Sequence, residues 1–468
     1  MRPRFYALSL LVTLSGCATT APSAAHKPAV EALDSWVQRE QNISWRNLKL
    51  NISPRDPKTA GGPAPIPGIV VAGLSKKDPD YYFHWVRDSS NVMRTVIELY
   101  ASQPQVMTPA QFHSMMGNYL RLSSHLQHEK SAFGLGEPRY MVTGEADTLP
   151  WSRPQFDGPA LRALSVMKYL EWQQTNRDTT DRDLALSVLR TDLDFIVSVW
   201  SQRGFDIWEE YKADNYNTRL AQLVALEKSN HWLPSPRYQK VAIQLATLLD
   251  DHWDPARGFL RSQLAIAATD GYTAKKTDLD SAVIVTVMDV DRESEGHSVM
   301  DDRVQATALV LEDLFRTSFA INRQNDDLGP AFGRYSGDVY YGGNPWYLIT
   351  SYYAQFYYRL AARLKDHPYK VTKINLAFAR AILHMPTLAA DSEFKPGESQ
   401  HTLFTAALRE KAESILRRVQ WHTPSDGVFF EQFDKNTGQP VSARGLGWAY
   451  SAFLAASLER NTLAVPNK

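Results

Sequence analysis

The chain has 468 residues, 44% hydrophobic and 22% charged, a globular composition rich enough for a large core. Lys plus Arg equals Asp plus Glu at 51 each, whereas a protein that tracks phosphates is basic, so no nucleic-acid partner is expected. The single cysteine, Cys17, excludes an intramolecular disulfide. Twelve Trp and 21 Tyr supply flat apolar faces with polar tips, which suit stacking on sugar rings as well as core packing.

The N-terminus reads MRPRFYALSLLVTLSGCATT. Arg2 and Arg4 precede a short apolar run, Phe5 to Leu14, too short to span a bilayer but right for a signal peptide. Leu14-Ser15-Gly16-Cys17 resembles the lipobox of bacterial lipoproteins. Residues 1–17 are therefore expected to be a lipoprotein signal with lipidation at Cys17, and residues 18–29, small and polar, a flexible tether. That predicts export and attachment to a bacterial outer membrane through lipid alone. Ordinary cleavage and secretion is the alternative. No later segment is long and apolar enough to span.

Periodicity of 3.6 predicts helices over 30–47, 88–102, 109–128, 157–174, 181–201, 214–229 and 236–252. Further helices are predicted over 302–322, 346–364, 370–384, 401–419 and 443–459. The apolar stretch 278–289 is of open type. Asp88, Ser89 and Ser90 read as capping side chains before a helix, and Thr108-Pro109 as a helix start. Long connections at 53–83, 134–156, 323–345 and 422–442 carry the unusual residues. With no break in composition, residues 30–462 are expected to form one all-α domain of helix pairs around a common axis, loops gathered at one end.

Those connections contain PDYYFHWVRDSS (79–90), GEPRYMVTGEADTLPWSRPQFDGPALRA (136–163), GRYSGDVYYGGNPWYL (333–348) and FFEQFDKNTGQPVSARGLGWAY (429–450). DIWEEYKADNYNT (206–218) is a further such stretch. Each mixes aromatic residues with carboxylates or Arg. HExxH, CxxC, a nucleotide-binding glycine loop and GxSxG are all missing from the sequence. His125 and His128 share a helix face without an evident third ligand, and no cofactor or metal is expected. Carboxylates among aromatics are the ingredients of glycoside hydrolysis. Glu209 and Glu210 follow Trp208, whose apolar wall is expected to raise the pKa of an acid beside it. Glu431 is the natural second carboxylate. Read alone, the Trp-Glu-Glu run is equally a solvated helix end.

Together the stretches resemble the fungal-type glucoamylases of glycoside hydrolase family 15. The first is similar to that family's PDYFYTWTRD, and the second to GEPKF…SWGRPQRDGPALRA. The stretch at 206–218 resembles DLWEEV, that at 429–450 resembles EQYD…LSARDLTWSY, and NPWYL at 344–348 resembles NPWFL. ALDSWVQREQNISWRNLKLNI (32–52) and PGIVVAG (67–73) resemble the family's opening segments. The resemblance implies an (α/α)6 barrel of six inner and six outer helices, with a pocket for the non-reducing end of an α-glucan. It implies inverting release of β-D-glucose, with Glu209 as general acid and Glu431 as general base. By motif position, Arg87 and Asp88 would hold the terminal glucose. Tyr81, Trp85, Trp151 and Trp208 would wall the pocket, Glu210 would bond the next sugar, and Arg334 and Trp346 would form the far wall.

The chain departs from the family at Gly445 and Gly447, at Pro150, Ser152 and Phe156, and at His84. These departures leave both proposed catalytic carboxylates in place and open the question of linkage and chain length. No starch-binding domain is expected, and a monomer is. α-1,6 glucans or trehalose are alternative substrates for the same machinery, and a non-catalytic glycan-binding lipoprotein is the remaining alternative.

Overall fold

The computed structural model describes residues 31–54, 64–264, 275–323 and 327–464. Cys17, the signal segment and the tether lie outside the described residues. Among the described residues run α1 (Leu33–Asn51), α2 (Val86–Ser102), α3 (Pro109–His128), α4 (Gly158–Asn176), α5 (Arg182–Val199), α6 (Tyr216–Ser229) and α7 (Pro236–Asp250). They continue with α8 (Ala282–Val290), α9 (Asp302–Ser318), α10 (Tyr347–Leu364), α11 (Leu376–Leu383), α12 (Ser399–His422) and α13 (Gly447–Ala464). The strands are short and confined to the connections.

Six helices close a ring. α2 packs on α4, α4 on α6, α6 on α8, α8 on α10, α10 on α13, and α13 returns to α2. Around them α1 lies on α13, α5 on α4, α7 on α6, α9 on α8 and α12 on α10, with α3 against α5. This is the expected all-α (α/α)6 barrel, with the short α11 wedged between α9 and α12. The two rings follow from residue pattern. All of α8 and nearly all of α10 is buried, as an inner helix requires. α5 buries only a stripe, Ala185, Val188, Leu189, Asp192, Leu193, Ile196 and Val199, as an outer helix does. Some buried polar groups tie one helix to the next. Arg162 of α4 donates to Asp192 of α5 at 2.9 Å, and Gln127 of α3 donates to the same carboxylate at 2.9 Å.

Two local expectations are corrected and one open reading is settled. Asp88, Ser89 and Ser90 lie inside α2 rather than before it. Trp85 is held extended by pairing with Arg139, so the helix starts at Val86, and Ser90 bonds back to the Val86 carbonyl at 2.6 Å. Residues 370–384 are not one helix. Tyr369–Lys370 pairs with Glu393–Phe394, and the Asn375 side chain accepts from the Thr372 amide at 2.7 Å, holding the chain in a turn before α11. The apolar stretch of open type is helical, because a β-branched run buried on every side in the inner ring follows its packing rather than its propensity. Thr108 caps α3 as expected, in a full capping box with Gln111.

The inner ring sets the polarity of the molecule. The segments that enter α2, α4, α6, α10 and α13 all line one cavity at the same end of the barrel.

Candidate active site

That cavity has a volume of about 660 Å³. Tyr81, Trp85, Arg87, Asp88, Trp151, Trp208, Glu209, Glu210, Arg334, Trp346 and Glu431 all line it, so every predicted pocket residue is brought together.

Glu209 is built by a tight turn. Its amide donates to the Asp206 carbonyl at 2.9 Å, and the Asp206 carboxylate collects the amides of Glu210 and Tyr211 at 2.8 and 3.1 Å. Glu209 itself has φ of 65°, a left-handed conformation that costs a non-glycine residue of order 1 kcal/mol and is characteristic of functional sites. One carboxylate oxygen accepts from Trp85 Nε1 at 2.8 Å and Arg87 Nη2 at 2.9 Å, and the other from Trp151 Nε1 at 2.6 Å. The expected apolar wall from Trp208 is corrected here. The Trp208 indole donates to both oxygens of Asp280, at 3.0 and 3.1 Å, and its ring packs on Trp346. Three N–H groups, not a bare apolar surface, meet Glu209.

Glu210 takes different partners, Arg334 Nη2 at 2.9 Å and the Tyr335 hydroxyl. Arg334 is fixed in turn by Asp338 at 2.8 Å. Arg87 donates to Gln155 and Asp157 at 3.0 and 3.1 Å besides Glu209. Burial works against its charge, but Asp157, Glu209 and Asp88 more than reverse this and raise its pKa. Burial pushes Asp88 up to about 7, with Arg87 opposing and Glu209 and Asp157 adding to the rise. Arg87 Nε and Trp346 Nε1 are buried donors without a hydrogen-bond partner among the described residues. Donors of that kind on a cavity wall suit ligand hydroxyls.

Glu431 sits in the strand Phe430–Phe433, paired with Pro440–Arg444. The register shifts between Phe430 and Gln432, so Glu431 occupies a bulge that re-aims its side chain. It is 1% exposed. The Tyr81 hydroxyl donates to one oxygen at 2.8 Å and the Ser442 hydroxyl to the other, while Tyr81 and Tyr340 share a bond of 2.6 Å. Burial pushes its carboxyl up to about 7, with Ser442, Tyr81 and Arg334 pulling the other way.

Tyr340, Ser442, Asp280, Asp157 and Arg139 were missed in the sequence. All are single polar or aromatic residues in loops, without a spacing signal of their own. The departures have physical roles. Gly445 has φ of 79°, and a side chain on Gly447 would press on Asn51 and the Ala72 carbonyl. Ser152 donates to the Glu209 carbonyl, and Phe156 is buried against Phe195. His84 lies beneath the pocket, its Nδ1 accepting from the Val70 amide at 3.1 Å, and burial lowers its pKa to about 3.

An all-α double barrel whose loop end encloses two carboxylates, aromatic walls and free donors defines a glycosidase-type protein. The profile of glycosyl hydrolases family 15 matches residues 57–458. Glucoamylase P of Amorphotheca resinae is 31% identical, in a match that spans 97% of this chain and 73% of that protein. The glucoamylase of Blastobotrys adeninivorans is 30% identical, spanning 86% of this chain and 68% of that protein. The structure of Hormoconis resinae glucoamylase superposes with a TM-score of 0.81 at 30% identity, covering 92% of this chain and 74% of that one. The chain belongs to glycosyl hydrolases family 15.

The raised pKa of Glu431 has a consequence for stability. Its ordinary value is 4.5, so between about pH 4.5 and about pH 7 the folded chain keeps a proton that the unfolded chain releases. That contribution to stability is present at low pH and lost as pH rises through this window. Glu431→Gln removes it. In urea denaturation, the stability of this variant relative to wild type should improve between about pH 4 and about pH 8, by up to about 3 kcal/mol.

Proposed function

We propose that this chain is a glucoamylase, an exo-acting, inverting glucan 1,4-α-glucosidase. It removes terminal α-1,4-linked glucose from the non-reducing ends of malto-oligosaccharides and starch and releases β-D-glucose. Glu209 is the general acid and Glu431 the general base. As the C1–O bond breaks, its electron pair leaves with the glycosidic oxygen, which takes the proton of Glu209. A water attacks C1 from the opposite face and gives a proton to Glu431, so one water is consumed per bond.

One observation carries this assignment of roles. Glu209 is met only by indole and guanidinium N–H groups, which donate and never accept. Such groups hold the negative charge that develops as Glu209 gives up its proton. Glu431 is met chiefly by hydroxyls of Tyr81 and Ser442, which can turn from donor to acceptor once it gains a proton. Arg87 and Asp88 hold the terminal glucose, Trp346 and Arg334 the far wall, and Glu210 the next sugar.

Proton NMR of maltose and maltotriose during the first minutes of digestion should show β-glucose first, and early α-glucose would contradict the inverting pair. Isomaltose and trehalose should be hydrolysed far more slowly, and a reversed order would assign the α-1,6 or trehalose reading. Glu209→Gln and Glu431→Gln should each reduce kcat by at least roughly a hundredfold.

The acid limb of kcat/KM should lie near pH 7, where Glu431 of the free enzyme loses its base form. Ser442→Ala removes a donor to the carboxylate and should move that limb to higher pH. An unmoved limb would count against Glu431 as the base.

We also propose that lipidation at Cys17 anchors the protein to the outer membrane, on the support of the lipobox-like Leu14-Ser15-Gly16-Cys17. Cys17→Ala should move it from the membrane fraction to the soluble fraction. The same distribution for both would contradict the anchor.

A further inference from the structure

We propose that Arg139 is a positioning residue for Glu209, carrying the two indoles that hold its carboxylate, and that it does this because it is Arg and not Lys. The proposal rests on Glu209 acting as the general acid. The family motif quoted above reads GEPKF where this chain reads GEPRY, so the family's Lys is Arg139 here.

The geometry is close. The guanidinium carbon of Arg139 lies 3.7 Å from the ring centroid of Trp151 and 5.2 Å from that of Trp85. Trp151 meets Trp85 edge-on at 5.9 Å. These two indoles donate one to each oxygen of Glu209, at 2.6 and 2.8 Å. Arg139 is also the cross-strand partner of Trp85, so its backbone and its side chain bear on the same ring. Trp151 is 39% exposed. A ring that open has little packing to fix its plane, and the flat cation stacked on it supplies the constraint.

Arg139 is itself immobilised. Its Nε donates to Asp147 Oδ2 at 2.8 Å and Nη2 donates to the same oxygen. Arg153 adds a donor to that oxygen at 3.2 Å and grips Glu137 at 2.7 and 2.8 Å. Both Arg139 and Asp147 are buried. A planar fork can bond Asp147 along one edge and stack on Trp151 with its face. A lysine ammonium is a point donor without a face, and it cannot do both. The charged groups facing Glu209 are Arg87, at 2.9 Å, and Asp88 beside it. Those around Arg139 are Asp147, Glu137 and Arg153.

A displaced indole costs most when the proton of Glu209 must pass to a basic leaving oxygen, because the new carboxylate then lacks a donor. It costs little when the leaving group departs as a stable anion. Arg139→Lys and Arg139→Met should therefore be compared with wild type on maltose and on 4-nitrophenyl α-D-glucoside, with Glu209→Gln in parallel. Arg139→Lys should lower kcat on maltose roughly tenfold with KM little changed, and on the nitrophenyl glucoside by about threefold or less. If Arg139→Met fails to fold, Arg139→Lys carries the test. Equal losses on both substrates would mean a merely structural role and overturn the proposal. So would a higher KM at unchanged kcat, which would make the guanidinium a support for a sugar platform. A wild type inactive on both substrates would overturn the reading beneath it, and the proposal with it.

Discussion

A carboxylate taken out of water must find donors or give up its charge, and the loop end of this barrel is arranged around that demand. Asp88, Asp157, Glu209, Glu210, Asp280 and Glu431 are crowded in or just under one cavity. Arg87 answers three of them, Asp88, Asp157 and Glu209. Arg334 answers Glu210, and Lys275 answers Asp280. Cations alone do not suffice, so indoles and hydroxyls complete the set. The aromatic richness of the loops is thus partly electrostatic, because Trp85, Trp151, Trp208 and Tyr81 each bring a polar tip to a carboxylate.

The barrel supplies what the loops cannot. Helix N-termini are partly positive, and α2, α10 and α13 bring that end to the cavity wall, while α4 and α6 send their entering segments there. An inner ring closed on itself holds those ends in fixed relation, which long loops could not do unaided. The loops are also knitted to one another. Short strands join the Trp85 segment to the Arg139 segment and the Glu431 strand to that of Ser442, while a bridge joins Trp346 to Gln432. Segments from widely separated parts of the chain are thereby tied together around the cavity.

Legibility in the sequence followed the same division. Most helices were legible because burial repeats at 3.6 residues, but the largely apolar run 282–290 hid its type. The eleven pocket residues were legible because the motifs preserve residue type and order along the chain. Partnership was less so. Trp208 stands next to Glu209 in sequence, yet its indole turns to Asp280, while Trp151 arrives from a distant loop. Adjacent residues in a left-handed turn point apart, and periodicity does not reach the backbone conformation of a loop. Ser442 and Tyr340 were invisible for the same reason, since a lone hydroxyl in a loop has no pattern until the fold places it against Glu431.

The two carboxylates differ in a way that residue type alone does not reveal. Glu209 lies among fixed donors, and none of its three partners can accept a proton. Its surroundings are therefore complementary to its carboxylate form. Glu431 lies deeper, and burial holds its pKa near neutrality. Its partners form a chain of hydroxyls, Ser442 on one side and Tyr81 with Tyr340 on the other, whose protons can reorient as the charge on Glu431 disappears. A desolvated base is a stronger base, and a rotatable hydroxyl shell keeps its protonated form from being stranded without acceptors. One group is thus matched to its ionised form and the other to both of its forms. An acid that starts bond cleavage and a base that takes a proton from water and then releases it have those respective needs, and this match supports the roles proposed for Glu209 and Glu431.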